Sequence, residues 1–353
     1  MIKPKFLSTA IGSMPFEDPA YAVGVSLKYM DAPIWPQLPK LGLLEQMEVQ
    51  YSENIPCAVV DNEKNRLYFK TDVDYSEQFA EVYEAYMSAT EGGTNDFSKM
   101  AISEKYSKGI YALLKVLKKE GVRKQWLKVQ ATGPITIALS TVDENKRAIY
   151  YNEEFRDVIV KSIAMKSRWQ IQQFKPFAEN VICFLDEPIL SAFGSSTYVS
   201  VKREDIVSIL TESIQALHDE GAIAGIHCCG NTEWSILIDA GVDIISFDAF
   251  EYGDTIAFYA DSVKKHLEKG GVIAWGAVPT SEKIRGQTVE SLEKQLEKVM
   301  DNLASKGIDK KLIIDQAMIT PSCGTGSLAA GDAEKVFLLL YDLTKRMKEK
   351  YTS

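Results

Sequence analysis

A histidine and two cysteines have the residue types and the spacing of a metal site. His227 and Cys229 are two positions apart in a run typical of a β-strand, so their side chains point to the same side while Cys228 points away. Zinc prefers imidazole nitrogen and thiolate sulfur, and catalytic zinc sites keep one position open. Cys323 is distant along the chain, but a closed barrel would bring its strand end near. The pattern predicts a metal site, although a free cysteine by itself is more typical of a small buried hydrophobic residue.

Two adjacent acids are further candidates. Asp186 and Glu187 end the apolar run that begins at Val181, and Pro188 follows them. Such a pair could bind a substrate amine or serve as acid and base. It could equally cap the turn that follows. The sequence alone leaves both interpretations open.

These residues need elements that place them together, and the second half of the chain supplies a regular alternation of strands and helices. Alternation of this kind predicts parallel strands joined by crossover helices. Helix starts are indicated at Asp18-Pro19, Thr232, Thr288 and Asp332. Strands are predicted over residues 6–13, 128–136, 181–188, 222–230, 242–250, 272–279 and 312–317, a hairpin near 67–69, and further helices around 75–88, 102–119, 203–220 and 261–269.

We predict an α/β fold, a (β/α)₈ barrel formed by one catalytic domain over residues 1–353, with a doubly wound open sheet as the alternative. In such a barrel, catalytic residues collect at the carboxyl ends of the strands. The polar candidates follow this rule, since each comes at or just after a predicted strand end. They are Ser13, Asp186, Glu187, His227, Cys229, Asp248 and Cys323.

Composition excludes several classes of partner. Charged residues make up 25% of the chain, the net charge is −9, and the basic residues form no cluster. We therefore expect neither a nucleic acid nor a membrane surface as a partner. The five cysteines do not indicate a disulfide framework. The chain start lacks the pattern of a secretion signal and no apolar run reaches about 18 residues, so we expect a cytoplasmic protein.

Six short segments, in order between residues 11 and 324, carry a resemblance to a known family. The chain resembles the catalytic C-terminal half of cobalamin-independent methionine synthase, in a short form. That half belongs to a superfamily with uroporphyrinogen decarboxylase and the corrinoid-dependent thiol methyltransferases. The segments are Ile11-Gly12-Ser13, Thr132-Gly133-Pro134, Asp186-Glu187-Pro188, His227-x-Cys229, Gly276-Ala277-Val278-Pro279 and Pro321-Ser322-Cys323-Gly324.

The resemblance implies a zinc-dependent methyltransferase on a (β/α)₈ barrel. His227, Cys229 and Cys323 match the family's zinc ligands. The segment Ile11-Gly12-Ser13 matches the residues that hold the carboxylate of homocysteine, and Asp186 matches the residue that contacts its amino group. The family also uses a glutamate just after the first helix, and Glu45 is the candidate for that position.

Two departures from the family bear on the ligand set and the donor. Asp248 occupies the position of a fourth zinc ligand, which is a glutamate in methionine synthase, so its shorter side chain reaches less far. The segment from Pro279 to Glu282 lacks the histidine that acts in methyl transfer, and the chain begins at the catalytic half. A methylated corrinoid carried by a separate protein is therefore expected as the donor in place of methyltetrahydrofolate, because this chain carries no corrinoid module of its own.

The expected reaction is methyl transfer to a thiol, with homocysteine as the first choice of acceptor and methionine as its product. Another thiol, such as coenzyme M, is an open alternative. Two other functions fit the fold: a metal-free decarboxylase of the porphyrinogen type, or a barrel that holds zinc or docks a corrinoid protein without turnover. The decarboxylase would need several basic residues for its substrate's carboxylates, and the first arginine is Arg66.

Overall fold

The computed structural model describes residues 3–121 and 123–352. Its main sheet has seven strands, all paired in parallel, in the order β1-β10-β9-β8-β7-β6-β4, and a three-stranded sheet has the order β2-β3-β5. The strands are β1 (Leu7–Ser8), β2 (Ala58–Asp61), β3 (Arg66–Phe69), β4 (Lys124–Thr132), β5 (Val142–Asp143), β6 (Ala178–Asp186), β7 (Ile223–Cys228), β8 (Ile244–Phe247), β9 (Val272–Val278) and β10 (Ala317–Pro321).

Helices follow most strands of the main sheet and pack on its outer face. They are α1 (Pro19–Tyr29), α2 (Met47–Tyr51), α3 (Ser76–Thr90), α4 (Lys108–Glu120), α5 (Pro134–Ser140), α6 (Glu153–Phe174), α7 (Arg203–Asp219), α8 (Trp234–Asp239), α9 (Ala249–Tyr252), α10 (Ala260–Glu268), α11 (Val289–Ala304), α12 (Lys310–Asp315) and α13 (Ala330–Tyr351). Within the described ranges, no helix combines the length and the apolar character that a membrane crossing requires.

An extended segment over residues 32–37 closes the sheet between β1 and β4. The Ala32 amide donates to the Ser8 carbonyl at 2.9 Å, and the Lys128 amide donates to the Pro33 carbonyl at 2.9 Å. Ile34 and Lys128 form a parallel bridge. The segment takes the place of an eighth strand, so the predicted (β/α)₈ barrel is confirmed and the open-sheet alternative is wrong.

Two apolar layers hold this architecture. The larger lies between the sheet and the helices, and a smaller cluster fills the barrel itself, as expected of this fold. Its members alternate along their strands with residues of the outer layer: in β6, Ile182 and Phe184 point inward while Cys183 and Leu185 point outward. The apolar filling supports the polar groups that lie above it at the strand ends.

Local signals placed several helices correctly. The Asp18 side chain accepts a hydrogen bond from the Ala20 amide, and Pro19 is the first residue of α1. Thr288 and Ser291 form a reciprocal cap at the start of α11. The predicted hairpin is β2 and β3, which pair antiparallel.

The strand predicted over 312–317 is wrong. Asp309 caps a helix there, α12, by accepting from the Lys311 amide, and the strand begins only at Ala317. The prediction over 128–136 is displaced, because Pro134 starts α5 directly after Gly133. A short apolar run fits a buried strand or one buried turn of helix equally well, so the cap decides between them.

Two predicted caps are also wrong. The Thr232 hydroxyl donates to the Leu190 carbonyl at 2.8 Å, and α8 starts only at Trp234. Asp332 lies inside the first turn of α13, where it pairs with Arg285 at 2.8 Å. In both cases the side chain binds a partner that is distant in sequence and does not cap the helix next to it.

Candidate metal centre

The barrel brings the three predicted ligands together. His227 lies in β7, Cys229 directly follows that strand, and Cys323 follows β10. The potential ligand atoms of these residues lie within 4.8 Å of one another. Two strands, β8 and β9, separate β7 from β10 in the sheet, so the curvature of the barrel makes this convergence. Cys228 is buried in the outer layer, as the alternation of side chains predicted.

The imidazole of His227 is oriented for a ligand. Its Nδ1 lies 3.0 Å from the Ser246 hydroxyl on β8, while its buried Nε2 has no hydrogen-bond partner among the described residues. When Nδ1 donates to Ser246, Nε2 carries the free lone pair. A metal-binding histidine is commonly held in this way by a hydrogen bond on its other nitrogen.

The two thiols differ in acidity. A hydrogen bond from Cys323, together with the neighbouring His227, lowers the pKa of the Cys229 thiol, although burial acts in the opposite direction. The same pairing, together with burial, raises the pKa of Cys323. Metals bind the thiolate form of cysteine, so the cluster already favours one anionic sulfur before any cation neutralises the pair.

A cavity of about 510 Å³ opens above the cluster at the carboxyl ends of the strands. The predicted site residues that line it are Ile11, Ser13, Asp186, His227, Cys229 and Cys323. Gln37, Lys40, Met47 and Glu48 also line it, and the sequence analysis did not single them out. Gln37 ends the closing segment over residues 32–37 and the other three follow it, and that segment was not predicted as a strand.

Ser13 presents a hydrogen-bond donor to this cavity. Its Oγ accepts from the Gly326 amide at 3.3 Å, and its carbonyl accepts from the Thr325 amide at 2.8 Å. The hydroxyl hydrogen is therefore left to donate to a ligand. A Cβ on Gly324 would lie 2.1 Å from Ser13 Oγ, so this close approach requires glycine. Gly12 packs against the side chain of Gln130 and does not line the cavity.

The adjacent acids face different surroundings. Asp186 lines the cavity, and its buried Oδ1 has no hydrogen-bond partner among the described residues. Burial raises the pKa of this carboxyl, while Lys128 and His227 oppose that shift. Glu187 points away from the cavity. Its carboxylate accepts from the Ile135 amide at 3.0 Å, the Thr136 amide at 2.7 Å and the Thr136 hydroxyl at 2.6 Å.

The alternative that these acids cap the turn after them is wrong for Glu187, whose side chain makes no cap hydrogen bond to that turn. Glu187 occupies the N-terminus of α5, where a carboxylate satisfies free backbone amides. Burial raises its pKa to about 7. Asp186 is the member available to a substrate. A catalytic acid–base role for Glu187 remains a prediction, without contact to the cavity.

Two further predicted residues lie outside the centre. Glu45 is buried and does not line the cavity; its carboxylate accepts from the Lys108 amide at 2.8 Å and from Gln50 at 3.3 Å. Asp248 is not part of the three-residue cluster and caps α9 by accepting from the Glu251 amide at 2.9 Å. Burial raises the pKa of Asp248 to about 6. The structure thus offers three convergent ligands rather than four.

The chain is similar in structure to a solved methyltransferase and, more weakly, to an epimerase-like protein. A methyltransferase from Methanosarcina mazei is similar over 92% of this chain and 85% of its own, with a TM-score of 0.53 and 12% identity. A D-tagatose 3-epimerase-like protein is similar over 69% of this chain and 85% of its own, with a TM-score of 0.38 and 18% identity. Because the identity to the methyltransferase is 12%, this similarity shows the fold alone. No protein-family pattern and no curated protein sequence matches the chain.

Ser246 is the clearest residue that the sequence analysis missed. It lies two positions before Asp248, so both side chains point into the barrel by the alternation that predicted the ligand pair. Its contact with His227 depends on the register between β7 and β8, which pairs these two residues directly. Alternation was available in the sequence, but the register was not.

Proposed function

We propose that this protein transfers a methyl group to a thiol, with His227, Cys229 and Cys323 holding zinc. The observation that carries the proposal is the convergence of these ligand atoms within 4.8 Å at the floor of a cavity. The donor set of one nitrogen and two sulfurs suits zinc, and three protein ligands leave a fourth position for a substrate. Buried polar atoms rarely lack a partner, and a bound metal would supply the partner that His227 Nε2 lacks among the described residues.

Bound zinc would act as a Lewis acid that keeps the acceptor thiol deprotonated at neutral pH. The chain's own residues orient the acceptor. Ser13 offers a hydroxyl donor to a carboxylate, and Asp186 offers an unpartnered oxygen to an amine. A thiol that carries both groups fits this arrangement, and homocysteine, which would yield methionine, is the proposed acceptor.

A methylated corrinoid, delivered by a separate protein, is the proposed donor. The substrate thiolate attacks the methyl carbon in line, a sulfur–carbon bond forms, and the carbon–cobalt bond breaks with its electron pair remaining on cobalt. The fixed walls of the cavity contribute orientation and exclude water around the sulfur. The fold shared with a methyltransferase is consistent with this chemistry.

Charge in the cavity disfavours the decarboxylase alternative. A porphyrinogen carries several carboxylates, which need several cations to bind them. Among the described residues that line the cavity, Lys40 is the one lysine or arginine, while Glu48 and Asp186 add negative charge. Such a cavity suits a small zwitterion better than a polyanion.

The first experiment measures zinc per chain by elemental analysis in the parent protein, in Cys323→Ser and in Cys228→Ser. We expect about one zinc in the parent and a large loss in Cys323→Ser. Cys228→Ser is the matched control, because this neighbouring cysteine is buried on the other side of the strand. Methyl transfer from methylcobalamin to homocysteine is then assayed with the same three proteins. Absence of zinc from the parent, even after reconstitution under reducing conditions, would contradict the proposal.

A further inference from the structure

A row of hydrogen-bonded side chains leads from the cavity into the packed wall of the barrel. Gln37 lines the cavity, and its Nε2 donates to Gln50 Oε1 at 3.0 Å. Gln50 Nε2 donates to the Tyr106 carbonyl at 2.8 Å and to Glu45 Oε2 at 3.3 Å. The other oxygen of Glu45 accepts from the Lys108 amide at the start of α4. The Glu45 carboxylate is therefore connected to the cavity only through the side-chain amides of Gln50 and Gln37.

The Tyr106 carbonyl fixes the direction of this row. A peptide carbonyl only accepts hydrogen bonds, so the nitrogen end of the Gln50 amide must face it. The oxygen end of Gln50 then faces Gln37, which can satisfy it only through Nε2. The amide oxygen of Gln37 is consequently turned away from Gln50. No group in the described part of the chain donates to that oxygen.

The cavity thus contains two acceptors that lack donors. One is the amide oxygen of Gln37, and the other is Oδ1 of Asp186, which is buried. The Asp186 oxygen is removed from water without a donor, which costs free energy that a ligand carrying donors would recover, and the Gln37 oxygen is a second acceptor on the wall of the same cavity. A primary ammonium group carries three donors and a positive charge that Asp186 complements. The Ser13 hydroxyl is the opposite kind of group in the same cavity, a donor suited to a carboxylate.

We propose that Gln37 is a specificity-determining residue, whose amide oxygen binds the ammonium group of the acceptor together with Asp186. Glu45, the candidate for the glutamate that the family uses after its first helix, is in this proposal a positioning residue that holds Gln50 and accepts from the first amide of α4. The inference rests on the proposed thiol methyl transfer. It goes further by requiring that the cavity select an aminothiol over a thiol without an amine.

The test compares two ligands that differ only in the amino group, L-homocysteine and 4-mercaptobutanoate. Their dissociation constants are measured by titration calorimetry on the zinc-loaded protein, and the ratio of the two constants is the readout. We expect the parent to bind L-homocysteine more tightly. In Gln37→Met this preference should fall by about tenfold, entirely through weaker binding of L-homocysteine.

Two more variants separate contact from positioning. Glu45→Gln keeps an oxygen that can accept from Gln50, so its loss of preference should be clearly smaller than that of Gln37→Met. Gln50→Met keeps Gln37 but removes the acceptor that fixes the orientation of the Gln37 amide. The preference for L-homocysteine should therefore fall in this variant as well. Thermal unfolding of each variant shows which proteins are folded, and Gln50→Met carries the test should Gln37→Met not fold.

The remaining outcomes are distinct. An unchanged preference in folded Gln37→Met and Gln50→Met, or a larger loss in Glu45→Gln than in Gln37→Met, overturns the inference. A parent that binds both thiols equally also overturns it, but leaves methyl transfer to a thiol in place. A zinc-loaded parent that binds neither thiol overturns both proposals.

Discussion

The two sides of the end of β6 differ in how their polar groups are satisfied. On the cavity side, Asp186 keeps a buried oxygen to which no described residue donates. One residue later, on the side of α5, both oxygens of Glu187 accept hydrogen bonds from Ile135 and Thr136. Folded proteins rarely leave buried polar atoms unpaired, so an exception needs an explanation. The unpaired side is the one that faces the cavity, which suggests that a ligand completes it.

Two other buried groups repeat the contrast. His227 Nε2, in the cluster, has no hydrogen-bond partner among the described residues. Lys166, fully buried in α6, donates to the carbonyls of Glu53 and Met100. The lysine joins the segments before and after α3 to α6, whereas the imidazole nitrogen is available to a metal.

Asp186→Asn should give the largest effect, on ligand binding. Loss of the charge should weaken binding of L-homocysteine by roughly 10- to 100-fold, the range for a hydrogen bond to a charged group. The free energy of unfolding should not fall, because the buried Oδ1 accepts no hydrogen bond from the described residues that could be lost. Calorimetric titration and urea unfolding measure the two quantities, with 4-mercaptobutanoate as the control ligand. A loss of stability without a loss of binding would break the comparison.

Glu187→Gln should show the reverse pattern. A carboxamide can accept through only one oxygen, so one donor at the start of α5 loses its partner, and the free energy of unfolding should fall by about 1–2 kcal/mol. Urea unfolding measures this below the carboxyl pKa of about 7, because above that pH ionisation of the buried group lowers the stability of the parent and offsets the loss. Zinc content and L-homocysteine affinity serve as controls and should not change. A variant of parental stability that no longer transfers methyl groups would instead support the catalytic role predicted for Glu187.

Lys166 gives the smallest effect, a dependence of stability on pH. Burial lowers the pKa of this lysine to about 7 in the folded protein, against about 10.4 in an unfolded chain. Between these values unfolding takes up a proton, so the contribution of Lys166 to stability rises with pH and is lost as pH falls towards 7. The slope is at most about 1.4 kcal/mol per pH unit.

Lys166→Met removes this titration. Urea unfolding of parent and variant at pH 7.5 and 8.5 should show the parent gaining stability relative to the variant over that interval. The subtraction cancels the titration of the other groups that both proteins share. An equal change in the two proteins would mean that Lys166 is not held in its buried, partnered state.

Much of the fold followed from local signals. The alternation of apolar runs with amphipathic helices predicted the parallel strands from β6 to β9, and Asp18 and Thr288 marked helix starts that the structure has. The region over 312–317 failed because one buried turn of helix has the same apolar pattern as a short strand. The closing segment at residues 32–37 was not predicted, since it forms few ladder bonds.

The convergence of His227, Cys229 and Cys323 was predicted because it follows from two general rules. Side chains two apart on a strand share a face, and strand ends of a barrel meet at its mouth. The supporting contacts follow from neither rule. Glu187 and Thr136 are 51 residues apart, and Glu45 and Lys108 are 63 residues apart, so no local pattern connects them. The contacts of Glu45 could not be predicted for this reason, and a role for it in binding substrate stays a prediction.

By itself, the sequence determined which chemical groups this protein has at its strand ends and how those strands alternate with helices, because both depend on residue type and on spacing along the chain. Only the tertiary structure decided which of these groups are free to bind a ligand. A polar atom is satisfied when a partner lies about 3 Å away, and that partner usually comes from a distant part of the chain. Asp186 and Glu187 are neighbours in sequence, yet only the packing of α5 and the opening of the cavity distinguish them.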